Sequence, residues 1–423
     1  MKINNLILIG VLASFCVENL QGQVPDSVID CSSKLYDSSV LHQIDLTMSP
    51  DDWALLKQNY TEDTYYKANM SWGGITVTDV AVRSRGSSSR SGVKPSLKIS
   101  IDKYVDGARF LLQKSLVLLN MTQDPPMLRD YLSMQMFRRA GVPAPRSAYA
   151  RVNVNGEYQG LFLMVEDIDT PFLARNFYTN TGWLYEFNLV FIYHFEDLGD
   201  DPAAYSPNPF ELKTNKKTPN TEELMAFVKA LNATTPATFV DDIAVHLDIN
   251  RLLRQVAVET YLGEIDGIAG VVGSNNFYLY QAGAGAAFEF IPWDKSAALN
   301  YWDEPIYARL DENVILRNAM QVPELKQRYL LHLKEVNRLA GGKDGWLDRL
   351  AAQAIALTKA SAIEDKNKPY TQAEYDEALD WTIFSIRSRF TFLQEALASE
   401  GVQNLDLEGP VRQAPAQTGV VTR

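Results

Sequence analysis

The most informative stretch of the chain is residues 249–296, which read INRLLRQVAVETYLGEIDGIAGVVGSNNFYLYQAGAGAAFEFIPWDKS. Asp248 is a helix-capping residue type, and apolar side chains recur behind it at helical spacing until Gly263. The glycine-rich segment that follows predicts a loop. Two short β-forming runs, 277–280 and 287–291, predict strands. We therefore expect a helix, a loop and a β-hairpin in that order.

This order of elements brings polar side chains to one end of the hairpin. Asp266 lies in the loop, Asn275 and Asn276 precede the first strand, and Asp294 follows the second. Carboxylate and amide oxygens suit a hard cation such as Mg²⁺, and a further carboxylate could orient a hydroxyl group. Protein kinases use a base aspartate, an asparagine and a metal-binding aspartate in this order. The spacing differs, because the asparagines stand nine and ten residues after Asp266 and no HRD or DFG string occurs.

The chain before this stretch is predicted to be rich in β-structure. Alternating runs at residues 75–83 and 96–101 predict strands, and RGSSSRSG at 85–92 predicts a flexible turn between them. Residues 146–166 contain Asn155-Gly156 between two β-rich runs, which predicts a hairpin. The first part of the chain is therefore expected to form a sheet.

Helices are expected on both sides of the central hairpin. Asp124-Pro125-Pro126 is predicted to open a helix that closes at Gly141. The chain after residue 296, up to about Ala398, is predicted to be mostly amphipathic helix. No repeat or long linker divides the chain, so the pattern predicts one unit of the α+β class.

Two features of the β-rich region have alternative interpretations. Backbone amides of the 85–92 loop, together with Arg85 and Arg90, could hold phosphate groups. The alternative is an ordinary β-turn with solvated arginines. Lys98 could reach a nucleotide, or it could be a charge on the polar face of SLKISI.

Composition excludes several functional classes. The chain has 423 residues, with 40 Lys and Arg against 52 Asp and Glu and a net charge of −12, which argues against nucleic-acid binding. Two Cys and four His cannot build a Cys/His zinc cluster, so any metal is expected on oxygen ligands. The chain has neither a phosphate-binding loop of the G-x-x-x-x-G-K-[ST] type nor a G-x-S-x-G motif, which argues against a P-loop ATPase and an α/β-hydrolase.

The ends of the chain predict secretion. Residues 1–22 have a lysine, an apolar run and a small-residue end, as in a cleaved signal peptide; the alternative is a buried first helix. No later apolar stretch is long enough for a membrane, so no integral membrane segment is expected after cleavage. Residues 408–423 are predicted to be a disordered tail. Four glycosylation sequons, which suit a secreted glycoprotein, stand at Asn59, Asn69, Asn120 and Asn232.

Several segments together resemble the CotH kinase family, named after spore coat protein H. The resemblance runs over residues 41–397 with the motifs in order. It implies an atypical protein-kinase-like fold in two lobes, a β-rich N-terminal lobe at 41–166 and a mostly helical C-terminal lobe at 167–397. It also implies binding of ATP with Mg²⁺ or Mn²⁺, and phosphorylation of Ser or Thr in a secreted or coat protein. The resemblance rests on VAVRSRGSSSRSGVKPSLKISID (80–102), MLRDYLSMQMFRRAGVPAPRSAYARVNVNGEYQGLFLMVEDID (127–169), LYEFN (184–188), SNNFYLY (274–280) and FEFIPWDKS (288–296).

The resemblance also implies which residues contact the nucleotide. The RGSSSR loop would match the family's phosphate loop, with Arg85, Ser87 and Ser88 as its binding residues. Lys98 would match the nucleotide-contacting strand lysine. Glu166, at the end of the strand that connects the lobes, would lie near the adenine.

For the reaction centre, the resemblance and the order of elements coincide. Asp266 would match the catalytic aspartate, Asn276 the metal-binding amide and Asp294 the metal-binding aspartate. Adjacent strand residues face opposite ways, so only one of Asn275 and Asn276 is expected to face the metal, and Asn276 is preferred.

One departure from the family pattern concerns the metal. The WDxD pattern reads WDKS at 293–296, so a hydroxyl replaces the second carboxylate and Lys295 puts a cation next to the candidate ligand. If both carboxylates are needed, the protein is a pseudokinase that acts in adhesion or binding. If Asp294 alone is enough to bind the metal, Ser296 does not impair the site or accepts a hydrogen bond there. A third possibility is a kinase-fold enzyme that transfers AMP or glutamate.

Overall fold

The computed structural model describes residues 31–402. The predicted signal peptide, 1–22, and the predicted tail, 408–423, lie outside the described residues. Within the described part, strands dominate up to residue 166 and helices dominate after it. The α+β class predicted from the sequence is confirmed.

The first part of the described chain forms a closed barrel of seven strands. Its order is β1-β2-β3-β4-β5-β7-β6, and closure comes from a parallel pairing of β1 with β6, whereas the other pairs are antiparallel. Two helices accompany the barrel, α1 (Pro50–Gln58) and α2 (Arg129–Arg139). The strands are β1 (His42–Met48), β2 (Tyr66–Trp72), β3 (Ile75–Ser84), β4 (Leu97–Ser100), β5 (Ser115–Leu119), β6 (Ser147–Val154) and β7 (Glu157–Glu166).

Alternation along the strands divides the buried side chains between two cores. On β5, Leu116 and Leu118 belong to the core inside the barrel, whereas Val117 belongs to a larger core outside it. On β7, Phe162 lies in the first core and Leu163 in the second. Because successive strand residues face opposite sides, the same strands fill the barrel and hold the helices that cover it.

The second part combines a small sheet with helices. The sheet has the order β11-β10-β8-β9 with antiparallel pairs, and β10 and β11 form the predicted hairpin. Its strands are β8 (Trp183–Phe187), β9 (Phe210–Leu212), β10 (Phe277–Gln281) and β11 (Phe288–Pro292). The helices are α3 (Thr170–Phe177), α4 (Thr221–Ala233), α5 (Phe239–Ala244), α6 (Ile249–Leu262), α7 (Val314–Met320), α8 (Pro323–Ala340), α9 (Trp346–Glu364) and α10 (Gln372–Ser399).

Helix α2 begins later than the sequence predicts. It was expected to open at Asp124-Pro125-Pro126 but starts at Arg129. The backbone forms a turn first, in which the N–H of Met127 donates to the carbonyl oxygen of Asp124 at 2.8 Å. The Asp124 carboxylate then accepts the N–H of Arg129 at 2.9 Å, so it caps the helix from five residues away.

One predicted glycosylation site is not accessible in this fold. Asn120 is 2% exposed, and its amide nitrogen donates to the carbonyl oxygens of Ser89 and Lys94. A glycan could not be attached to the folded protein there without breaking these hydrogen bonds. Modification of the other sequons stays a prediction. No helix within residues 31–402 is long and apolar enough to cross a membrane.

Candidate active site

Asp266 lies in the loop that follows α6. The helix ends as predicted at Gly263, with φ of 59°, where a Cβ atom would lie 2.5 Å from the carbonyl oxygen of Tyr301. The loop then brings two amides to the Asp266 carboxylate. Asn275 Nδ2 donates to one oxygen and Asn276 Nδ2 to the other, each at 2.9 Å. Burial raises the pKa of Asp266, while these hydrogen bonds oppose the rise.

Both asparagines turn their side chains toward Asp266, and which of them faces a metal ion stays a prediction. Strand β10 begins at Phe277, so both asparagines precede it, and Asn276 has φ of 55°. Alternation of faces holds only for extended backbone, and the left-handed residue turns both side chains to one carboxylate. Since a carboxylate only accepts hydrogen bonds, each amide presents its nitrogen to Asp266 and keeps its oxygen for another partner.

Asp294 follows β11 and is tied to the Asp266 loop through the backbone. The N–H of Trp293 donates to the carbonyl oxygen of Asn276 at 3.0 Å. The Ser296 hydroxyl donates to Asp294 Oδ1 at 2.9 Å. Ser296 therefore supports the carboxylate as a hydrogen-bond donor, whereas the sequence left open that it is harmless or an acceptor. Asp294 is half-buried, and its negative charge is close enough to Asp266 to contribute to the raised pKa of that carboxyl group.

Lys295 does not project into the site. Its side chain is 0% exposed, and Nζ lies 3.0 Å from Glu259 Oε1 on α6 and 3.1 Å from the carbonyl oxygen of Asn276. The positive charge of Lys295, which the sequence placed next to the candidate metal ligand Asp294, is therefore neutralised by Glu259. This ion pair joins the loop after β11 to α6.

Helix α2 and the turn before it bring two buried carboxylates, Asp130 and Asp124, that the sequence patterns did not assign to the site. Asp130 is 3% exposed, and its Oδ1 accepts the N–H of Lys295 at 2.7 Å. Burial, followed by the charge of Asp294, raises the pKa of Asp130 to about 7. Burial raises the pKa of Asp124 to about 6. The available signal was a charged pair, Arg129-Asp130, on a helix whose following residues are all apolar or small up to Met134.

Arg85 places the predicted phosphate loop next to the loop that follows β11. Its guanidinium carbon lies 5.2 Å from the centroid of the Trp293 ring, one residue before Asp294. Arg85 is also among the positive charges that lower the pKa of Asp167. The loop after β3, the end of β7 and the loop after β11 therefore border one region.

The rest of the phosphate loop divides into a fixed and an exposed part. Arg90 donates to the carbonyl oxygen of Gly86 at 2.7 Å and pairs with Asp63, so it anchors the loop and is not a solvated arginine. Ser87 and Ser88 are exposed at its tip. Phosphate binding by these serines stays a prediction.

Lys98 on β4 is engaged by an acidic residue. Its Nζ donates to Asp167, and the Ser115 hydroxyl donates to the same carboxylate oxygen. Burial opposes ionisation of Asp167, but these two partners hold its pKa at about 2. Lys98 is therefore more than a charge on a polar face, and its ammonium group has a fixed position.

Glu166 has a structural role in the described residues. It is 0% exposed, and its carboxylate binds Arg146 at 2.7 Å and also pairs with Arg175. Since the side chain is occupied by two arginines, any contact with adenine falls to the backbone. That contact stays a prediction.

The site suits a cation with few protein ligands. No group of three or more His, Cys, Asp or Glu side chains between residues 31 and 402 is arranged to hold a metal ion. Mg²⁺ in phosphoryl-transfer enzymes is bound by one or two carboxylates and by phosphate oxygens and water. Asp294 with the amide oxygen of Asn276, beside a buried Asp130 oxygen that lacks a hydrogen-bond partner, fits such an ion.

Comparisons with known proteins place these residues in a family. A family model described as CotH kinase protein matches residues 82–340. A curated relative, the inner spore coat protein H of Bacillus subtilis (strain 168), is 27% identical over 273 residues, which cover 62% of this chain and 69% of the relative. The crystal structure of a Helicobacter pylori proinflammatory kinase, CtkA, is similar at 9% identity and a TM-score of 0.35, over 72% of this chain and 95% of that one. Because the family model matches more than half of the residues, this chain belongs to the CotH kinase protein family.

Proposed function

We propose that this protein is a secreted atypical protein kinase that transfers the γ-phosphoryl group of ATP to Ser or Thr of a protein. Membership of the CotH kinase protein family supports the reaction class. The observation that carries the proposal is the Asp266 carboxylate, held by two amides beside Asp294. Phosphoryl transfer depends mainly on positioning and electrostatics, and both are built into this arrangement.

Asp266 acts on the acceptor hydroxyl in this mechanism. Each of its oxygens already accepts one amide hydrogen, so the carboxylate cannot rotate and its remaining lone pairs have fixed directions. A Ser or Thr hydroxyl that donates to one of them is oriented for attack on the γ-phosphorus of ATP. Its proton passes to Asp266 as the new O–P bond forms, and the bond from the γ-phosphorus to the bridging oxygen breaks and releases ADP. The raised pKa of Asp266 favours acceptance of that proton.

Other residues hold the nucleotide. Asp294 and Asn276 would hold Mg²⁺ or Mn²⁺, which would neutralise charge on the phosphates. Lys98, oriented by Asp167, and Arg85 bind phosphate oxygens from the barrel side. Ser87, Ser88 and the backbone of Glu166 complete the nucleotide contacts, with adenine at the end of β7.

The proposed architecture has two lobes that meet at this site. The N-terminal lobe, residues 41–166, contains the barrel, and the C-terminal lobe, residues 167–397, contains the small sheet and eight of the described helices. A signal peptide at 1–22 directs the protein out of the cell. Its partner is a secreted or surface protein, and the net charge of −12 disfavours nucleic acid.

The first test is thermal unfolding of the mature protein with ATP and Mg²⁺ or Mn²⁺. Ligand at a hundred times its dissociation constant stabilises a protein by about 2.7 kcal/mol, so the melting temperature should rise. We expect Asp294→Ala to lose the metal-dependent part of this rise. A folded wild-type protein that shows no rise with either metal would refute nucleotide binding and favour the adhesion protein, since Ser296 replaces the family's second carboxylate.

The second test distinguishes the transferred group. With γ-labelled ATP and a secreted acceptor protein, label should appear on protein, and Asp266→Asn should lower the rate by about 10² to 10⁴-fold. Asp248→Asn is the control, because asparagine also caps α6 and the residue lies at the opposite end of that helix. Label from the α-phosphate would instead show AMP transfer. ATP consumption without labelled protein would indicate another acceptor or group, such as glutamate.

A further inference from the structure

Asp130 has an oxygen atom that no group in the described residues satisfies. Its Oδ1 accepts the N–H of Lys295 at 2.7 Å, but its Oδ2 is buried and has no hydrogen-bond partner there. The residue as a whole is only 3% exposed. A buried carboxylate oxygen without a partner is costly, so a site that keeps one needs an explanation.

Asp130 has more negatively than positively charged neighbours. Its charged neighbours are Asp294, Asp124 and Lys295. Lys295 is already paired with Glu259 at 3.0 Å, and Asp124 has Arg129 4.0 Å away. Neither Asp130 nor Asp294 forms an ion pair with a cationic side chain of residues 31–402, so two neighbouring carboxylates share one region without a positive partner.

The strand lysine does not supply the missing charge. In protein kinases the strand lysine pairs with a glutamate of the helix that follows it. Here Lys98 pairs with Asp167 at the end of β7 instead, and Ser115 completes that contact. Asp130 of α2 instead has Asp294 as its charged neighbour.

We propose that Asp130 is a second carboxylate ligand of a divalent cation, Mg²⁺ or Mn²⁺, that it shares with Asp294. The two side chains come from α2 and from the loop after β11, and the backbone hydrogen bond from Lys295 to Asp130 sets their separation. Two carboxylates with phosphate oxygens and water satisfy the ligand preferences of such an ion. This inference rests on the proposed function and deepens its metal site.

The inference also accounts for the departure at Ser296. The family pattern has a carboxylate two residues after Asp294, and this chain has a hydroxyl that donates to Asp294. A carboxylate from α2 replaces it in charge, although it comes from a distant part of the sequence. The WDKS sequence is then compatible with a charged metal site.

The test measures how Mn²⁺ alone binds to the mature protein. The electron paramagnetic resonance signal of the free ion reports how much Mn²⁺ remains unbound. We expect Asp130→Asn and Asp294→Asn each to weaken Mn²⁺ binding by at least about tenfold. The matched control is Asp348→Asn, because Asp348 is also a buried aspartate in the first turn of a helix, 4% exposed, and its partner is Arg387. This control should bind Mn²⁺ as the wild type does.

A rescue variant distinguishes the loss of a metal ligand from a general loss of structure in Asp130→Asn. Ser296→Asp, placed in the Asp130→Asn background, restores a second carboxylate beside Asp294 and should recover most of the Mn²⁺ affinity. The inference is refuted if folded Asp130→Asn binds Mn²⁺ like the wild type while Asp294→Asn does not, an outcome that leaves the kinase proposal intact. It is also refuted if the wild type binds no Mn²⁺ at millimolar concentration. The ATP-dependent shift and the γ-label assay then decide the kinase proposal separately.

Discussion

The ion pair between Lys94 and Asp365 provides a quantitative test of how the barrel is held to the helices. Both side chains are 0% exposed, and Lys94 Nζ lies 2.6 Å from Asp365 Oδ2, just after α9. The same Nζ donates to the carbonyl oxygen of Leu161 on β7 at 2.8 Å, and Asp365 accepts the Leu161 N–H at 3.0 Å. The pair therefore joins β7, α9 and the chain that follows the 85–92 loop.

We expect Lys94→Met to lower the free energy of unfolding by about 3 to 5 kcal/mol, because it leaves the Asp365 charge buried without a partner. The double variant Lys94→Met/Asp365→Asn should be more stable than this single variant. Its amide oxygen still accepts the Leu161 N–H, but no charge remains to be solvated. The loss in the double variant should fall to about 1 to 2 kcal/mol.

Urea unfolding of the four proteins of this double-mutant cycle measures the effect. Lys67→Met is the control, because the Lys67–Asp79 pair has side chains 63% and 45% exposed. Water and salt screen such a surface pair, so its loss should change the stability little. A loss below about 1 kcal/mol for Lys94→Met would contradict the argument from desolvation. The same holds if the two single changes simply add in the double variant.

Three further changes should have measurable effects on stability. Burial, and then the charges of nearby arginines, lowers the pKa of His332 to about 3, so the unfolded state takes up the proton first as the pH falls. The stabilisation from neutral His332 is therefore present above about pH 6.5 and lost toward pH 3. Acid lowers the free energy of unfolding for this reason, and His332→Gln should reduce that loss by up to about 3 kcal/mol at pH 4. Urea unfolding at pH 7 and pH 4 measures the difference. Arg389 is 1% exposed and donates to backbone carbonyl oxygens that include those of Tyr261 and Trp302, each at 3.1 Å. Arg389→Met should therefore lower the free energy of unfolding by at least about 3 kcal/mol. A change near zero would show that water replaces the guanidinium group as the donor. A Cβ atom on Gly182 would lie 2.0 Å from the carbonyl oxygen of Gln281, so Gly182→Ala should lower the free energy of unfolding by about 1 to 3 kcal/mol. Gly283 has open space around it, so Gly283→Ala should not. Equal melting temperatures for the two variants would contradict the close approach of Gly182 to Gln281.

Local sequence patterns predicted the elements that depend on near neighbours. The hairpin around Asn155-Gly156 and the ends of α6 at Asp248 and Gly263 follow from turn and capping chemistry within a few residues. The β10–β11 hairpin was predicted to within one residue at each end. The mixed α+β class followed from these elements, because alternation and helical spacing are both visible in the chain itself.

The composition of the site depended on contacts between distant residues. The N–H of Lys295 reaches Asp130 across 165 positions, and Lys98 finds Asp167 across 69. No periodicity or cap encodes such a pairing, because it arises only when α2, the barrel and the loop after β11 pack together. The sequence by itself therefore determined which elements form and that Asp266 and Asp294 follow one another around a hairpin. Only the tertiary structure decided that an aspartate of α2 joins them, since burial and unmatched charge are properties of the packed molecule.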